Sequence, residues 1–342
     1  MRAFSSLASS MKVAIVGEGV VGLSTALTVR ERHPNAKINI ISDRKFEQAC
    51  SYGPAGLFRI DAPKNKEYGR VTFHRFEELC KKYPGSRTGL KLLSGHIQSD
   101  DKERLASQEK SMGDIVYNFR WLTQREIDGM WENPNKYVIH YTAYASEGSI
   151  YVPFLKSLCL DKGINFEHRP IKKIDELGNE YEVVFNCAGI DGGKLAGDDD
   201  TMVPSRGVVL EVEAPWHKHF NYRNFDTFTI PKNNTVAIGT VKVMGDGRLE
   251  ITQADRDDIM ARYLKLHSAM KDAKVVKEWV GLRPERPAGV RIERQQRETP
   301  SGQKFTVVHN YGHGPNGFTL SWGTAQAAAK LIEDLTSTRS KL

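Results

Sequence analysis

VAIVGEGVVG, residues 13–22, is the stretch that decides the fold. Its four apolar residues at 13–16 predict a buried strand, and the sequence LSTALTVRERH that follows predicts a helix. Between them, Gly17 suits a tight turn, Gly19 lets a phosphate approach the backbone, and Gly22 lets the helix pack closely on the strand. This strand, turn and helix are typical of a dinucleotide-binding βαβ unit.

The residues after the turn continue the same pattern. The helix starts at Val20 and Val21, where free N–H groups and the positive end of the helix dipole favour a phosphate. A second apolar run, residues 37–41, leads to Asp43, about 20 residues past the last glycine, where such units carry a ribose-binding acid. Glu18 is evidence against a phosphate-binding turn, because a carboxylate inside the turn repels a pyrophosphate unless it points to solvent.

Composition restricts the classes of protein that the chain can be. With 342 residues, 39% of them hydrophobic and 27% charged, it is an ordinary globular chain with room for two domains. The net charge of +7 is scattered, with no basic arm, so we expect no nucleic-acid partner. No run approaches the ~20 apolar residues of a membrane span. The four cysteines form no CxxC and no metal-ligand spacing, so we expect neither a disulfide framework nor a metal site.

The order of the remaining patterns predicts an α/β fold. Strands at 164–166 and 183–189 with a helix at 149–162 return the chain to a parallel sheet. In residues 205–243, apolar and polar residues alternate along short runs, which predicts a separate antiparallel sheet. A second glycine-rich stretch, YGHGPNG at 311–317, precedes the last helix and could contact the far end of a long cofactor. Taken alone, that stretch suits a plain strand-to-helix turn equally well.

Several stretches together resemble the D-amino-acid oxidase and D-aspartate oxidase family. They are VAIVGEGVVGLSTAL, the Ser42-Asp43-Arg44 strand end, Ala55-Gly56-Leu57, VVFNCAG at 183–189, Pro204-x-Arg206-Gly207, GLRPERP at 281–287 and VVHNYGHGPNGFTLSWG at 307–323. The resemblance implies an α/β fold, α+β overall, with a discontinuous Rossmann-like FAD-binding domain and a substrate domain built on a mixed, largely antiparallel sheet. It implies the bounds 11–62, 142–205 and 284–336 for the first domain, 63–141 and 206–283 for the second, and a tail at 337–342.

FAD is the cofactor that the resemblance implies, and the motif positions imply its contacts. Those contacts are Gly17, Gly19, Val20, Val21, Gly22, Asp43, Arg44, Cys50, Ser51, Ala55, Gly56, Leu57, Ile171, Gly314, Asn316, Gly317, Phe318 and Thr319. Ile171 is placed on a strand that meets the cofactor, and the residues from Gly314 onward meet the flavin ring through their backbone.

The resemblance also implies a substrate anchor at Arg283, whose planar fork matches an α-carboxylate. Without the family, Arg283 would be one of several surface arginines. Two residues depart from the family pattern. Phe228 replaces a tyrosine, so that Thr227, Thr229 or Tyr222 supplies the hydroxyl or the carboxylate is bound more weakly. Pro315 replaces a glycine and removes an N–H donor.

The chain looks closer to the D-aspartate oxidases than to the oxidases of neutral D-amino acids. In that branch, basic residues bind the side-chain carboxylate of the substrate, and Arg223 and Lys242 match such positions, with Arg59 as a further cation near the flavin loop. We therefore expect oxidative deamination of D-aspartate, and of D-glutamate as a further substrate, to a 2-oxo acid, ammonia and hydrogen peroxide. Oxidation of neutral D-amino acids is the alternative, and a nucleotide-binding protein without turnover is a distant one.

The expected chemistry is transfer of a hydride from the substrate Cα to the flavin, with oxygen as the final acceptor. No side-chain base is required if the substrate amine reacts in its neutral form. His309 and His313 are therefore interpreted as structural members of the C-terminal motif.

The tripeptide Ser340-Lys341-Leu342 matches the signal that the peroxisomal import receptor reads at a C-terminus. It predicts a location in the peroxisomal matrix, which suits an enzyme that makes peroxide. The sequence leaves the oligomeric state open, including a homo-oligomer.

Overall fold

A computed structural model describes residues 10–337, apart from the side chains of residues 269, 336 and 337. Within this range the strands are β1 (Lys12–Val16), β2 (Lys37–Ser42), β3 (Leu90–Ser99), β4 (Tyr117–Trp121), β5 (Tyr137–Ser146), β6 (Asn165–His168), β7 (Val183–Asn186), β8 (Val203–Val212), β9 (Phe220–Arg223), β10 (Thr227–Pro231), β11 (Val236–Met244), β12 (Val275–Glu285), β13 (Arg291–Glu298) and β14 (Lys304–Tyr311). The α-helices are α1 (Val20–Arg32), α2 (Lys66–Lys82), α3 (Gly85–Thr88), α4 (Lys102–Met112), α5 (Gln124–Met130), α6 (Gly148–Asp161), α7 (Gly192–Ala196), α8 (Gln253–Leu266), α9 (Gly317–Lys330) and α10 (Glu333–Ser337).

The first sheet has six strands in the order β13-β14-β7-β1-β2-β6. Strand β1 lies between β2 and β7 and is parallel to both, whereas β13 runs antiparallel to β14 at the edge. The chain leaves β1 for a crossover to β2 on one side and receives β7 on the other, so a crevice opens beyond the carboxyl end of β1. The glycine turn lies at this end, and α1 packs against α9 behind it.

The second sheet has eight strands in the order β12-β8-β11-β10-β9-β3-β5-β4. Neighbours are antiparallel except for β3 and β9, which are parallel. The antiparallel sheet predicted for residues 205–243 is present, but the sequence did not show that β3, β4 and β5 extend it. The reason is that strand partners distant in sequence leave no mark on the local alternation of apolar residues.

Three strands of the second sheet cross the predicted domain bounds. Strand β5 runs through residue 142, β8 through residue 206 and β12 through residue 284, so each continues past the point where the sequence placed a boundary. The bounds themselves stay a prediction. The tail tripeptide at 340–342 lies outside the described residues.

The two sheets share a large hydrophobic core. It includes Val13 of β1, Phe73 of α2, Tyr141 of β5, Phe220 of β9 and Trp322 of α9, and each of these side chains is almost completely buried. None of the helices between residues 10 and 337 combines the length and the apolar character that crossing a membrane requires.

Candidate active site

A cavity of about 1010 Å³ lies between the two sheets. Its volume is at the upper end of the range of about 300–1,000 Å³ that is usual for ligand sites, so it has room for a large cofactor and a small substrate. The predicted site residues that line it are Gly17, Gly19, Val20, Val21, Asp43, Arg44, Cys50, Ser51, Ala55, Gly56, Leu57, Ile171, Phe228, Lys242, Arg283, Gly314, Pro315, Asn316, Gly317, Phe318 and Thr319. Of the predicted set, Gly22 and Arg223 do not line the cavity.

The glycine turn at the end of β1 has the geometry that its sequence predicts. Gly17 adopts a φ of +108°, and a Cβ at Gly22 would lie 1.9 Å from the Gly17 carbonyl oxygen. Gly22 therefore acts through the close packing of α1 on the turn and not through contact with a ligand. The backbone N–H of Val20, the first residue of α1, donates a hydrogen bond to Ser51 Oγ over 3.2 Å.

Glu18, whose carboxylate is unexpected in a phosphate-binding turn, has a cationic partner in the structure. Lys156 Nζ of α6 donates to Glu18 Oε1 over 2.6 Å, and Ser42 Oγ donates to Glu18 Oε2 over 3.2 Å. The ammonium compensates the carboxylate charge beside the turn. The sequence could not show this pair, because the two residues lie 138 positions apart.

The predicted ribose acid lies at the carboxyl end of β2. Asp43 accepts from Arg44 Nε over 3.0 Å, and Arg44 Nη2 also donates to Asp191 over 2.6 Å. The hydrogen bond from Arg44 is the main reason why the pKa of Asp43 is lowered. Asp43 is therefore a charged acceptor at the edge of the cavity.

The segment from Cys50 to Leu57 forms one wall of the cavity. It is held by β5: Ser146 N donates to the Gly56 carbonyl over 3.0 Å, and Leu57 forms a bridge with Ala145. Burial raises the pKa of the Cys50 thiol to about 11, so the thiol is neutral at physiological pH.

Ile171 lines the cavity, but the structure corrects its expected place on a strand. Strand β6 ends at His168. Pro170 follows, and proline has no N–H to continue a ladder of strand hydrogen bonds. Ile171 therefore reaches the cavity from the loop.

The second glycine-rich stretch begins α9 and holds the opposite wall in place. Asn316 Nδ2 donates to the Arg59 carbonyl over 3.0 Å, Asn316 Oδ1 accepts from Asp61 N over 3.3 Å, and Thr319 Oγ1 accepts from Arg59 N over 3.3 Å. The side chains of Asn316 and Thr319 thus fix the 59–61 segment, which leaves their backbone for a ligand. A Cβ on Gly317 would lie 3.8 Å from Val20 Cγ1, so the starts of α9 and α1 lie side by side.

Arg283 lies on β12, in the part of the cavity that faces the second sheet. Its guanidinium donates to Thr240 Oγ1 over 3.2 Å and to the Arg206 carbonyl over 3.4 Å. A Cβ on Gly207 would lie 2.3 Å from Arg283 Nη1, so this glycine leaves the room that the guanidinium occupies.

The arginines near Arg283 in sequence differ from it in their partners. Arg286, Arg291 and Arg294 pair with Asp199, Asp198 and Asp334 respectively. Among the described residues, Arg283 forms no ion pair within 4.0 Å. Its fork is therefore available for a carboxylate from solution.

The two cations predicted for the distal carboxylate have different positions. Lys242 of β11 lines the cavity. Arg223 does not, which corrects the prediction. Its neighbour Tyr222 lines the cavity, and consecutive residues of a strand point to opposite faces, so Arg223 is directed away.

Tyr222, not Thr227 or Thr229, can supply a hydroxyl at the site. Its ring lies 5.2 Å from that of Phe228, and both rings line the cavity. Thr227 and Thr229 are occupied elsewhere by contacts with Arg262 and His217. The sequence offered Tyr222 only as one of three choices, because strand register decides which hydroxyl faces the substrate.

Arg59 is a further cation in the cavity. Its guanidinium forms an ion pair with Asp61 and lies 5.6 Å from the ring centroid of Tyr222 and 5.2 Å from that of Phe225. The sequence predicted Arg59 as a cation near the flavin loop, but it did not predict the ion pair with Asp61.

Comparison with known proteins identifies the family. The model of the FAD dependent oxidoreductase family matches residues 12–331. The chain belongs to the FAD-dependent oxidoreductases. Within this family it is 57% identical to D-aspartate oxidase 1 of Caenorhabditis elegans over 94% of this chain and 97% of the relative. It is 32% identical to human D-aspartate oxidase over 94% and 95%. The crystal structure of glycine oxidase from Bacillus cereus shares the fold, with a TM-score of 0.79 at 20% identity over 95% and 96% of the two chains.

The two-sheet α/β fold and the FAD cofactor expected from the sequence are thereby confirmed. The cavity of this oxidoreductase also fits FAD physically. Gly17 and Gly19 of its turn leave the backbone open to a pyrophosphate, the charge of Glu18 between them is compensated by Lys156, and the positive ends of α1 and α9 open on the same space. Asp43 follows β2 and lines the cavity, which is the position expected for a ribose-binding acid.

The two histidines of the C-terminal motif have structural partners. His309 is buried between Asn186 and Gln295, and His313 Nε2 is 3.0 Å from Thr324 Oγ1. Burial lowers the pKa of His309 to about 4 and that of His313 to about 3, so both are neutral at physiological pH.

Proposed function

We propose that this oxidoreductase deaminates acidic D-amino acids, D-aspartate above all, to the 2-oxo acid, ammonia and hydrogen peroxide. One observation carries the proposal: Arg283 and Lys242 both line the cavity, and neither forms an ion pair within 4.0 Å among the described residues. Two cations in one cavity, neither neutralised by a carboxylate of the described residues, suit a substrate with two carboxylates. The similarity to D-aspartate oxidases over 94% of the chain supports the same substrate class.

Three polar residues of the cavity have roles in substrate binding. Arg283 holds the α-carboxylate through two parallel hydrogen bonds, and Tyr222 adds a hydroxyl where the family tyrosine is missing at Phe228. Lys242 attracts the distal carboxylate as a point charge. FAD held by the glycine turn and the start of α9 would supply the redox chemistry, taking up the hydride of the substrate Cα and passing the electrons to oxygen. The aromatic rings of Tyr222, Phe225 and Phe228 restrict water around the reacting carbon.

Substrate comparison tests this function. We expect peroxide release with D-aspartate, little with D-asparagine, which has the same shape but an uncharged side chain, and little with D-alanine. Turnover of D-alanine in preference to D-aspartate would establish the neutral D-amino-acid oxidase instead. Bound FAD without turnover of any D-amino acid would leave only a nucleotide-binding protein.

A pair of variants locates the distal carboxylate. Lys242→Met should remove most of the preference for D-aspartate over D-asparagine, because it deletes the cation without a partner. Arg59→Met should lower that preference less, since the charge of Arg59 is already compensated by Asp61. A larger loss of preference in Arg59→Met would assign the distal carboxylate to Arg59.

We also propose import into the peroxisomal matrix through Ser340-Lys341-Leu342. A fusion with a fluorescent protein at the N-terminus should colocalise with catalase, and the same fusion with Leu342→Ser should stay diffuse. Colocalisation that survives Leu342→Ser would exclude the tripeptide as the signal. The mass of the FAD-loaded protein in solution decides whether it forms the homo-oligomer that the sequence leaves open.

A further inference from the structure

Glu285 places a carboxylate in the cavity, two residues after Arg283 on β12. Residues two apart on a strand share a face. A Cβ on Gly314 would lie 2.4 Å from Glu285 Oε2, so the carboxylate lies against the loop that begins α9. It is thus located between the substrate anchor and the segment expected to meet the flavin.

The other carboxylates that line the cavity are already paired. Glu18 is bound by Lys156, Asp43 and Asp191 by Arg44, and Asp61 by Arg59. Glu285 differs, because no side chain or backbone N–H within residues 10–337 donates a hydrogen bond to its carboxylate. A half-buried carboxylate without a donor is costly, and a ligand that supplies one removes that cost.

The charged groups around Glu285 are Lys242 of β11, Arg283 of its own strand and Asp61 of the 59–61 segment. Burial raises the pKa of Glu285, with Asp61 adding to the effect, while Lys242 and Arg283 oppose it. The neighbouring Arg286 is not a partner, since its Nε donates to Asp199 over 2.8 Å.

We propose that Glu285 accepts a hydrogen bond from the α-amino group of the substrate, which arrives as an ammonium and still has N–H donors as the neutral amine that reacts. The assignment rests on the proposed function, because it requires an amino acid in the cavity. An acidic D-amino acid carries two carboxylates and one ammonium, and this part of the cavity presents two cations, Arg283 and Lys242, and one carboxylate, Glu285, all without a hydrogen-bonded ion-pair partner. Glu285 therefore selects amino acids over dicarboxylic acids that lack the amino group.

The experiment compares two ligands that differ in the amino group. In Glu285→Gln we expect kcat/KM for D-aspartate to fall by about tenfold to a hundredfold, the range of a lost charged hydrogen bond. Succinate, which has both carboxylates and no amine, should bind at least as tightly as to the wild type, because a negative charge beside Arg283 and Lys242 is gone. Its dissociation constant is read from the perturbation of the flavin absorbance. Glu298→Gln, at an exposed carboxylate outside the cavity, is the matched control and should change neither value.

The outcomes separate the proposal from its alternatives. A parallel weakening of D-aspartate and succinate would make Glu285 a structural residue, and unchanged kcat/KM for D-aspartate would also overturn the assignment. If Glu285→Gln fails to retain FAD, Glu285→Asp is measured by the same two ligands, and the same selective loss of D-aspartate is expected. Wild-type protein that oxidises no acidic D-amino acid would contradict the proposed function itself, whatever the variants do.

Discussion

Lys156 Nζ lies 2.6 Å from Glu18 Oε1, and this ion pair makes an acidic residue tolerable inside a phosphate-binding turn. Glu18 lines the cavity beside Gly17 and Gly19, where the phosphates of FAD are expected. The ammonium comes from α6, a helix that follows β3, β4 and β5 in the chain, well after the turn itself. The negative charge of Glu18 in the turn is therefore compensated only in the folded protein.

The first prediction concerns this pair. Lys156→Met should weaken FAD binding, because Glu18 then faces the pyrophosphate without compensation. Both side chains are partly exposed, so we expect a modest effect of up to about fivefold in the dissociation constant of FAD. The double variant Lys156→Met/Glu18→Gln should restore the affinity. A double variant that binds FAD no better than Lys156→Met would contradict the charge argument.

The second prediction concerns the substrate anchor. Arg283→Lys should retain FAD but lower kcat/KM for D-aspartate by about 10²- to 10³-fold, because an ammonium cannot form the two parallel hydrogen bonds of a guanidinium. Steady-state peroxide release and the flavin absorption band report the two properties separately. Arg294→Ala, which removes a cation paired with Asp334 outside the cavity, should leave both unchanged. Wild-type kinetics in Arg283→Lys would remove Arg283 as the anchor.

The third prediction concerns the packing of α1 on the glycine turn. Gly22→Ala places a Cβ 1.9 Å from the Gly17 carbonyl oxygen, so helix and turn must separate. We expect loss of bound FAD and a lower melting temperature, by about one to two degrees for each kcal/mol lost in a chain of 342 residues. Gly129→Ala in α5 is the control, since its added Cβ meets no atom within 4 Å. Equal FAD content and stability in the two variants would show that the close approach at Gly22 is unimportant.

The fourth prediction concerns pH. Burial lowers the pKa of His313 from 6.5 to about 3. Between these values the unfolded chain binds a proton that the folded chain does not, so the free energy of unfolding decreases as the pH falls below 6.5. The loss approaches about 1.4 kcal/mol per pH unit for one such histidine.

Thermal unfolding of the FAD-loaded protein between pH 7.5 and 5 measures this effect. His313→Gln should show a smaller decrease than the wild type, whereas His74→Gln, at an exposed position on α2, should follow the wild type. The buried His309 and the half-buried His217 and His96 also have lowered pKa values, so the decrease in stability should become smaller in His313→Gln but not disappear. An unchanged pH dependence in His313→Gln would exclude this residue as a contributor.

Much of the fold followed from local sequence patterns. The run VAIVGEGVVG predicted the strand, turn and helix that the structure shows, because glycine spacing and apolar runs constrain the backbone within a few residues. The second glycine-rich stretch predicted the cofactor, and the GLRPERP motif predicted Arg283 as the substrate anchor, both through their resemblance to one family. These features depend on short segments, so they can be predicted without knowledge of the tertiary contacts.

The remaining features depend on contacts between segments far apart in the chain, and only the tertiary structure decided them. Strand register directs Tyr222 into the cavity and Arg223 away from it, although the two are adjacent in sequence. Glu18 finds Lys156 across 138 residues, whereas Glu285 finds no donor among the described residues. Whether a charge is compensated or available depends on its neighbours in space. The sequence alone thus determined the fold and the cofactor, and the packing of the two sheets decided which charges remain for the substrate.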